Sequence, residues 1–505
     1  MDLQLPDRER ITIAILALGG EGGGVLADWI LEVAQANGYI AQGTSVPGVA
    51  QRTGSTVYYI EMVKRRGTGG NSPDPVLAMM PVPGDVDIVI ASELMEAGRA
   101  ILRGFVSKDR TTLIGSTHRV FAISEKAVPG DGRGASQRIL AAAERGAARF
   151  ISFDMAAAAS TSSSVISSVM FGALAGSETL PFSREAFEAA IRHGGKAVES
   201  NLKGFGAGFD RSQNGDPVSI DAMALAEPTT AAGRALKDRI DRAFREPVRP
   251  VATTAVARLM DYQDAAYAHL YLERLEPIAG RDDGRDGDRL TKETARHLAL
   301  WMAYEDTIRV ADLKVRATRS ARVATEVRLA PGQVMTVTEY MHPRLQEVCE
   351  TLPAGVGGAI LRSATLRRLL TPLFKKGRHV RTTSLRWFAV LRLLASLRRI
   401  RRSTLRYRDE QARIGSWLAA IDEAATRDVA FAIEIVLCQQ LIKGYSDTFE
   451  RGLERFNALM LAGRSLSPTG GAADDLRRLR EAALADDSGK AFDRELVALN
   501  LAAVA

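Results

Sequence analysis

Residues 16–27 read LALGGEGGGVLA, and five of the six positions from Gly19 to Gly24 are glycine. The stretch is preceded by the β-branched run ITIAILAL (11–18) and leads into ADWILEVAQANG (27–38), whose apolar residues recur at helical spacing. Strand, glycine turn and helix in that order form the opening unit of a Rossmann-like α/β domain. Gly22 to Ala27 satisfy the spacing GxGxxA, which in such a unit brings backbone N–H groups against a phosphate. A dinucleotide site also needs an Asp or Glu about 20 residues on to hold the ribose hydroxyls. Here that region is GYIAQGTSVPG, with Gln42 near the expected place and no acid. Glu21 adds a negative charge inside the loop, where it repels a pyrophosphate. An NAD site is therefore disfavoured. Two readings stay open: a sharp turn with close helix packing, or contact with another phosphate or cofactor.

The alternation continues through STVYYIEMV (55–63), VDIVIAS (86–92), ELMEAGRAIL (93–102) and TTLIGS (111–116), which predicts a mostly parallel sheet. After residue 210 strand patterns almost vanish, and Ala, Arg, Leu and Glu fill segments of helical period. The expected organisation is an α/β domain over 1–210 followed by a mainly α-helical domain over 211–505. At 505 residues with 46% apolar and 25% charged content, two or more globular domains fit the chain. No apolar run is long enough to predict a membrane span, and the N-terminus lacks an export-signal pattern, so a cytoplasmic location is expected.

A second unusual stretch, TSVPGVAQRTGSTVYYIEM (44–62), contains a turn at Pro47-Gly48, a single arginine, Arg52, and Thr53-Gly54-Ser55 entering a strand. Loops that leave the carboxyl ends of neighbouring strands converge, so this loop is expected beside Gly19–Gly24. Arg52 suits a carboxylate or phosphate there, and equally suits a structural ion pair. Metal chemistry within the chain is disfavoured. The two cysteines, Cys349 and Cys438, cannot furnish a four-cysteine zinc or iron–sulfur site, and the six histidines show no ligand spacing.

The charge of +7 is uneven, for residues 361–410 hold 15 Lys/Arg against two acids. In TSLRWFAVLRLLASLRRI the apolar Trp387, Val390, Leu394 and Leu397 recur at helical spacing, with Arg392 and Arg399 opposite. This pattern predicts an amphipathic helix docked on its own domain or on an acidic partner. Nucleic acid is disfavoured because few aromatics interleave the basic residues. Near the end of the chain, Gly444 reads as a helix stop, and Asp447 with Glu450 three residues on predicts a capping box.

GGEGGGVLADWI followed by VPGVAQRTGSTVYYIE resembles the gamma-type domain of the 2-oxoacid:ferredoxin oxidoreductases, whose pattern runs GGQG, a helix, then a segment ending HGMxQRGGSV. LPFSREAFEAAIRHGGKAVESNLKGFGAGFD (180–210) is similar to the closing part of that domain, with Asn201 and KGFGAG at its motif positions. The resemblance spans about residues 10 to 210. It is greatest to the beta subunits of indolepyruvate:ferredoxin oxidoreductases in a long form with a helical extension. In that extension WMAYEDTIRVADL (301–313) and LIKGYSDTFERG (441–452) resemble two further family elements. The sequence departs from the family pattern at Glu21 (usually glutamine), Pro47 (histidine), Thr53 (glycine) and Glu305 (lysine).

The resemblance implies an accessory subunit, inactive alone, of a cytoplasmic hetero-oligomer. A large alpha subunit would carry thiamine diphosphate with Mg2+ and the [4Fe-4S] clusters. The implied reaction is oxidative decarboxylation of aryl pyruvates, with electrons passed to ferredoxin or another acceptor and an arylacetate or arylacetyl-CoA as product. No cofactor is expected within this chain: neither GDG at 130–132 nor DGD at 286–288 follows a strand or leads to an asparagine pair, as a thiamine motif requires. The implied interface residues are Gly19, Gly20, Glu21, Gly22, Gly23, Pro47, Gly48, Gln51, Arg52, Thr53, Gly54 and Asn201, with Arg52 the candidate catalytic group. Two other readings of the residues are a stand-alone nucleotide-binding enzyme and a basic helical binding protein.

Overall fold

A computed structural model describes residues 10–46, 55–65, 75–121, 125–126, 132–214, 227–327, 329, 332–374, 376–466, 471–486 and 488–501. The chain divides into two compact units, Met1–Ala222 and Met223–Ala505.

In the first unit the run RITIAILAL forms β1 (Arg10–Leu18), buried from Ile11 to Ala17 on both faces, as befits the central strand of a covered sheet. The glycine loop leads to α1 (Gly23–Ala36), then β2 (Tyr39–Val46) and β3 (Ser55–Lys64). β4 (Ile88–Ala91), α2 (Leu94–Leu102), β5 (Thr112–Ser116), α3 (Ser136–Gly146) and β6 (Arg149–Phe153) follow. The sheet order is β2-β3-β1-β4-β5-β6. β1, β4, β5 and β6 pair in parallel. β3 is antiparallel to both β1 and β2, so it alone runs against the other five strands.

One sheet face, from Ile13, Ile15, Ile60, Ile88 and Ile90, packs with Leu26, Trp29 and Ile30 of α1 and with α4 (Met155–Thr161), α5 (Ile166–Gly176), α6 (Arg184–His193) and α7 (Val198–Asn214). The other face, with Ala14, Leu16, Val89 and Leu113, meets Ala97 and Ala100 of α2 and Ala143 of α3. α1 and α2 therefore leave adjacent strands toward opposite faces, which opens a crevice at the carboxyl ends of β1 and β4. The amino edge is closed by charge. Arg110 binds Asp87 (Nε to Oδ1, 2.8 Å), and Thr12 donates to the same carboxylate from N and Oγ1, each at 2.9 Å. Burial works against that carboxylate, but the Arg110 and Thr12 bonds outweigh it and hold its pKa down.

α5 and α7 pack at backbone distance. A methyl group at Gly172 would overlap the Phe205 carbonyl, and one at Gly208 would overlap the Val169 carbonyl. The KGFGAG run thus has a packing reason. Every residue from Ser167 to Gly176 is buried. Among the described residues no single helix is long and apolar enough to cross a membrane; α4 and α5, bent by 112° at their junction, pass the length and apolarity test only together.

The second unit is helical apart from a two-stranded ladder of Thr338–Met341 with Arg378–Arg381. Its core centres on Trp301, which meets Trp417 edge-on at 5.5 Å and Phe456 at 5.4 Å. The basic run is divided in its use. Arg401, 3% exposed, grips Asp306 through Nε (2.7 Å) and Nη2 (3.0 Å), and its guanidinium lies 4.2 Å from the centre of the Tyr262 ring. Helix Leu385–Ser396 buries Leu391, with Leu394 and Ala395 beside it against helix Thr307–Val315; Val390, expected to face inward, is 39% exposed. Trp387, Leu394 and Leu397 of the expected stripe are partly buried, and Leu391 takes the inward place expected of Val390, because tertiary contact selects the face of a helix that is apolar on nearly all sides. The expected capping box does not form. Asp447 lies in the first turn of helix Ser446–Ser465 and binds Arg344 at 2.6 Å instead.

Candidate functional site

The glycine loop is a tight turn in which Glu21 N donates to the Leu18 carbonyl at 3.1 Å. Gly20 (φ 93°) and Gly22 (φ 74°) occupy the left-handed region, where a side chain is strained. Gly22 is the N-cap of α1, and no side chain caps that helix. A Cβ at Gly23 would lie 2.6 Å from Ala17 Cβ and from Tyr58, and one at Gly22 would lie 2.9 Å from Ser167 Oγ. Gly19 has nothing within 4 Å of its would-be Cβ. Glycine is thus required by backbone at 20 and 22 and by packing at 22 and 23.

Glu21 is turned inward. Its carboxylate accepts from Ser92 Oγ, which itself accepts from Leu18 N at 3.1 Å. His118 Nε2 is 3.4 Å from Glu21 Oε1, and His118 Nδ1 is 2.7 Å from Ser116 Oγ. Carboxylate, imidazole and hydroxyl fall in a row, as in a hydrolytic triad. Ser116 is fully buried, however, and its oxygen already receives Met155 N at 3.0 Å. The row orients the imidazole and does not arm a nucleophile.

Beside it Glu93 caps α2 by accepting from Met95 N at 2.8 Å. Burial pushes the Glu93 carboxyl up to about 7, and raises Glu96 as well. Arg119 faces Glu93 at 4.0 Å but is committed to Glu125 (2.5 Å) and to the Gly134 carbonyl (2.9 Å). Glu21 and Glu93 follow two adjacent strands and Glu96 sits in the first turn of α2, where Arg99 pairs with it at 2.9 Å, so Glu21 is the acid of the loop without an Arg or Lys partner among the described residues. That charge opposes a pyrophosphate, and β2, YIAQGTSV, carries no acid for a ribose; the strand runs four residues past Gln42 to Val46.

Of the expected interface residues, Gly19, Gly20, Glu21, Gly22 and Gly23 surround this crevice. Leu18 pairs with Ser55 and Val46 with Val57, so the flanks of residues 47–54 stand at the same edge. Pro47, Gly48, Gln51, Arg52, Thr53 and Gly54 themselves lie outside the described residues. Asn201 is buried in α7, where its amide donates to the Lys196 carbonyl at 2.9 Å, a bond within the helix entry. Ser92, Glu93 and His118 went unread in the sequence. Their signal was their position directly after β4 and β5.

Residues 12–211 match the family described as pyruvate ferredoxin/flavodoxin oxidoreductase. Residues 248–462 match a second family, one of unknown function. No curated protein matches the chain. Among solved structures, a 2-oxoglutarate:ferredoxin oxidoreductase from Magnetococcus marinus, with 2-oxoglutarate, coenzyme A and succinyl-CoA bound, is 14% identical over 41% of this chain (TM-score 0.30). The match spans 32% of that protein's length. A pyruvate oxidoreductase subunit from Thermotoga maritima is 16% identical, with 40% of this chain and 97% of that one covered (TM-score 0.28). The gamma subunit of a keto/oxoacid ferredoxin oxidoreductase from Geobacter sulfurreducens is 16% identical over 41% of this chain and 97% of its own (TM-score 0.28).

The oxidoreductase-matched region contains the whole crevice. The stretches 301–313 and 441–452 lie in the second unit, and they meet there: Tyr304 Oη donates to the Gly444 carbonyl, Tyr445 Oη donates to Glu305 at 2.9 Å, and the Tyr304 and Phe449 rings are 5.5 Å apart. Among the described residues no three His, Cys, Asp or Glu side chains gather as a metal site, and Cys349 and Cys438 are buried free thiols.

Proposed function

We propose that this chain is the gamma-type subunit of a 2-oxoacid:ferredoxin oxidoreductase that acts on aryl pyruvates such as indolepyruvate and phenylpyruvate. The observation that carries the reading is the family match over 12–211, which includes GGEGGG and VPGVAQRTGS, two motifs whose flanks share one sheet edge. Thiamine diphosphate supplies the carbanion chemistry of such decarboxylations and iron–sulfur clusters the one-electron path. In this reading both belong to a larger partner subunit.

The residues of this chain would act by position. The turn from Gly19 to Gly23 offers a side-chain-free approach to the carboxyl edge, and Glu21, held by Ser92 and His118, sets the charge beside it. Arg52, on the neighbouring connection, is proposed to meet the substrate or cofactor anion across the interface, where a guanidinium suits a carboxylate or phosphate. The aryl-pyruvate preference rests on the similarity of the helical extension to long indolepyruvate forms.

The test is reconstitution with a larger subunit that carries thiamine diphosphate and iron–sulfur clusters, judged by dye or ferredoxin reduction with indolepyruvate, pyruvate and 2-oxoglutarate. Turnover only in the mixture, with the highest kcat/KM for indolepyruvate, is the expected result. Turnover or nucleotide binding by the chain alone would overturn the assignment. A preference for pyruvate or 2-oxoglutarate would overturn the substrate but keep the subunit role.

A further inference from the structure

Residues 351–408 contain 15 Lys/Arg and no Asp or Glu. Two groups stand out among these cations. Arg398, Arg401, Arg402 and Arg406 are engaged within the unit, by the Gln263 carbonyl (2.9 Å), Asp306 (2.7 Å), Asp264 (2.8 Å) and Glu410 (2.9 Å). Arg362, Arg367, Arg368, Arg381, Arg392 and Arg399 are different: among the described residues their side chains make neither an ion pair nor a hydrogen bond. These six arginines are therefore not engaged in holding the unit together by ion pairs.

Two of these arginines line a groove. Helix Ala364–Leu370 buries none of its residues. Between it, helix Leu345–Glu350 and the end of helix Ala354–Arg362 lies an open depression of about 510 Å³. Its lining includes Leu345, Leu361, Pro372, Gln346, Arg367 and Arg368, and no carboxylate. On the same helix and in the turn that follows it, Leu369 is 69% and Leu373 60% exposed. An apolar floor with unpaired arginines selects a ligand that is both anionic and aliphatic.

Shape and composition choose among anionic partners. A bilayer surface is flat and does not fill a depression. Nucleic acid gains nothing from exposed leucines, and no aromatic ring lines the groove for base stacking. A protein segment with carboxylates flanking a leucine-type side chain fits both features. We propose that the groove formed by residues 345–372 holds an acidic, leucine-bearing segment of a partner protein. This gives the region of unknown function a role in partner capture, and it does not depend on the oxidoreductase reading of residues 12–211.

The test uses the full chain and a fluorescein-labelled helical peptide of repeating glutamate and leucine, followed by fluorescence anisotropy. A control peptide carries glutamine for glutamate. The acidic peptide is expected to bind, more weakly as salt rises, and the control not to bind. Arg367→Glu with Arg368→Glu should weaken binding by roughly tenfold or more, since two exposed charge pairs turn repulsive. These side chains have no ion-pair or hydrogen-bond partners among the described residues, so the melting temperature should not change, and the Arg367→Lys, Arg368→Lys pair should retain binding. Equal binding of both peptides, or binding indifferent to the charge reversal, would overturn the proposal. Sedimentation with phosphatidylserine vesicles that is lost in the reversed variant, without peptide binding, would overturn it in favour of a lipid surface.

Discussion

Nε2 of His118 lies 3.4 Å from Oε1 of Glu21, which joins the end of β5 to the turn after β1 across the intervening strand β4. The pair shares the crevice with Ser92, so the two side chains depend on each other for orientation. A double-mutant cycle of Glu21→Gln and His118→Phe should show a coupling of about 0.5–1.5 kcal/mol in unfolding free energy. In the reconstituted complex the same cycle should be non-additive in kcat/KM. Coupling in stability with strict additivity in turnover would make the pair structural only.

The glycines of the loop should separate sharply when each is replaced by alanine. Gly22→Ala forces a Cβ into the left-handed region 2.9 Å from Ser167 Oγ, and Gly23→Ala places one 2.6 Å from Ala17 Cβ. Each should cost about 1–3 kcal/mol in urea unfolding. Gly19→Ala meets nothing and Gly24→Ala only the Tyr58 ring at 3.6 Å or more, so both should fold normally. If Gly19→Ala or Gly24→Ala folds normally yet abolishes turnover in the complex, the loop approaches a cofactor or partner as well as its own helix.

Glu93 sets a pH dependence. Burial raises its carboxyl from about 4.5 to about 7, so the folded state holds this proton more tightly than the unfolded chain. The resulting stability is fully present below the unfolded value and is lost as pH rises through about 7, a change of roughly 3 kcal/mol. Hydrogen exchange of the β4 amides should therefore slow on going from pH 8 to pH 5 once corrected for intrinsic rates. Glu93→Gln, which keeps the acceptor for Met95 N, should flatten the difference. An unchanged pH dependence in that variant would place the titration elsewhere.

Arg401 and Asp306 form a buried pair with every guanidinium nitrogen bonded: Nη1 also donates to the Tyr262 carbonyl (2.8 Å) and to Gln263 (2.9 Å). Removing either partner strands a buried charge, so Arg401→Ala or Asp306→Ala should destabilise the second unit by about 3–5 kcal/mol. The double substitution Arg401→Met, Asp306→Leu should cost clearly less than the two single losses combined. Additive losses would mean that the pair does not interact.

The first unit was legible because its chemistry is local. β-branched runs bounded by glycine and followed by helical periodicity named β1, α1, β4, α2 and β5 in order. The direction of β3 was harder to read, yet a signal existed: residues 47–54 are too few for the crossover of a dozen or more that a parallel neighbour requires. The crevice was half legible. Glycines at 19, 20, 22 and 23 announce a turn, but His118, Ser92 and Glu93 are single polar residues whose meaning comes from which strand end they follow, and strand order is not written in any local pattern. In the basic segment, spacing cannot tell Arg401 from Arg399. Arg401 reaches Asp306 and Arg399 has no ion-pair or hydrogen-bond partner among the described residues, because the choice is made by helices packed from distant parts of the chain.

The glycine contact between α5 and α7 has a mechanical consequence. With Gly172 and Gly208 set directly against carbonyls of the opposite helix, no layer of side chains separates the two backbones to absorb a rotation or a slide. At one end Gly204 abuts Ser164, just before α5, and Ser168 within it, and the neighbouring Ser167 abuts Gly22. The pair works as one lever. A displacement of α7 would therefore pass through α5 to Ser167, the residue beneath Gly22 of the GGEGGG turn.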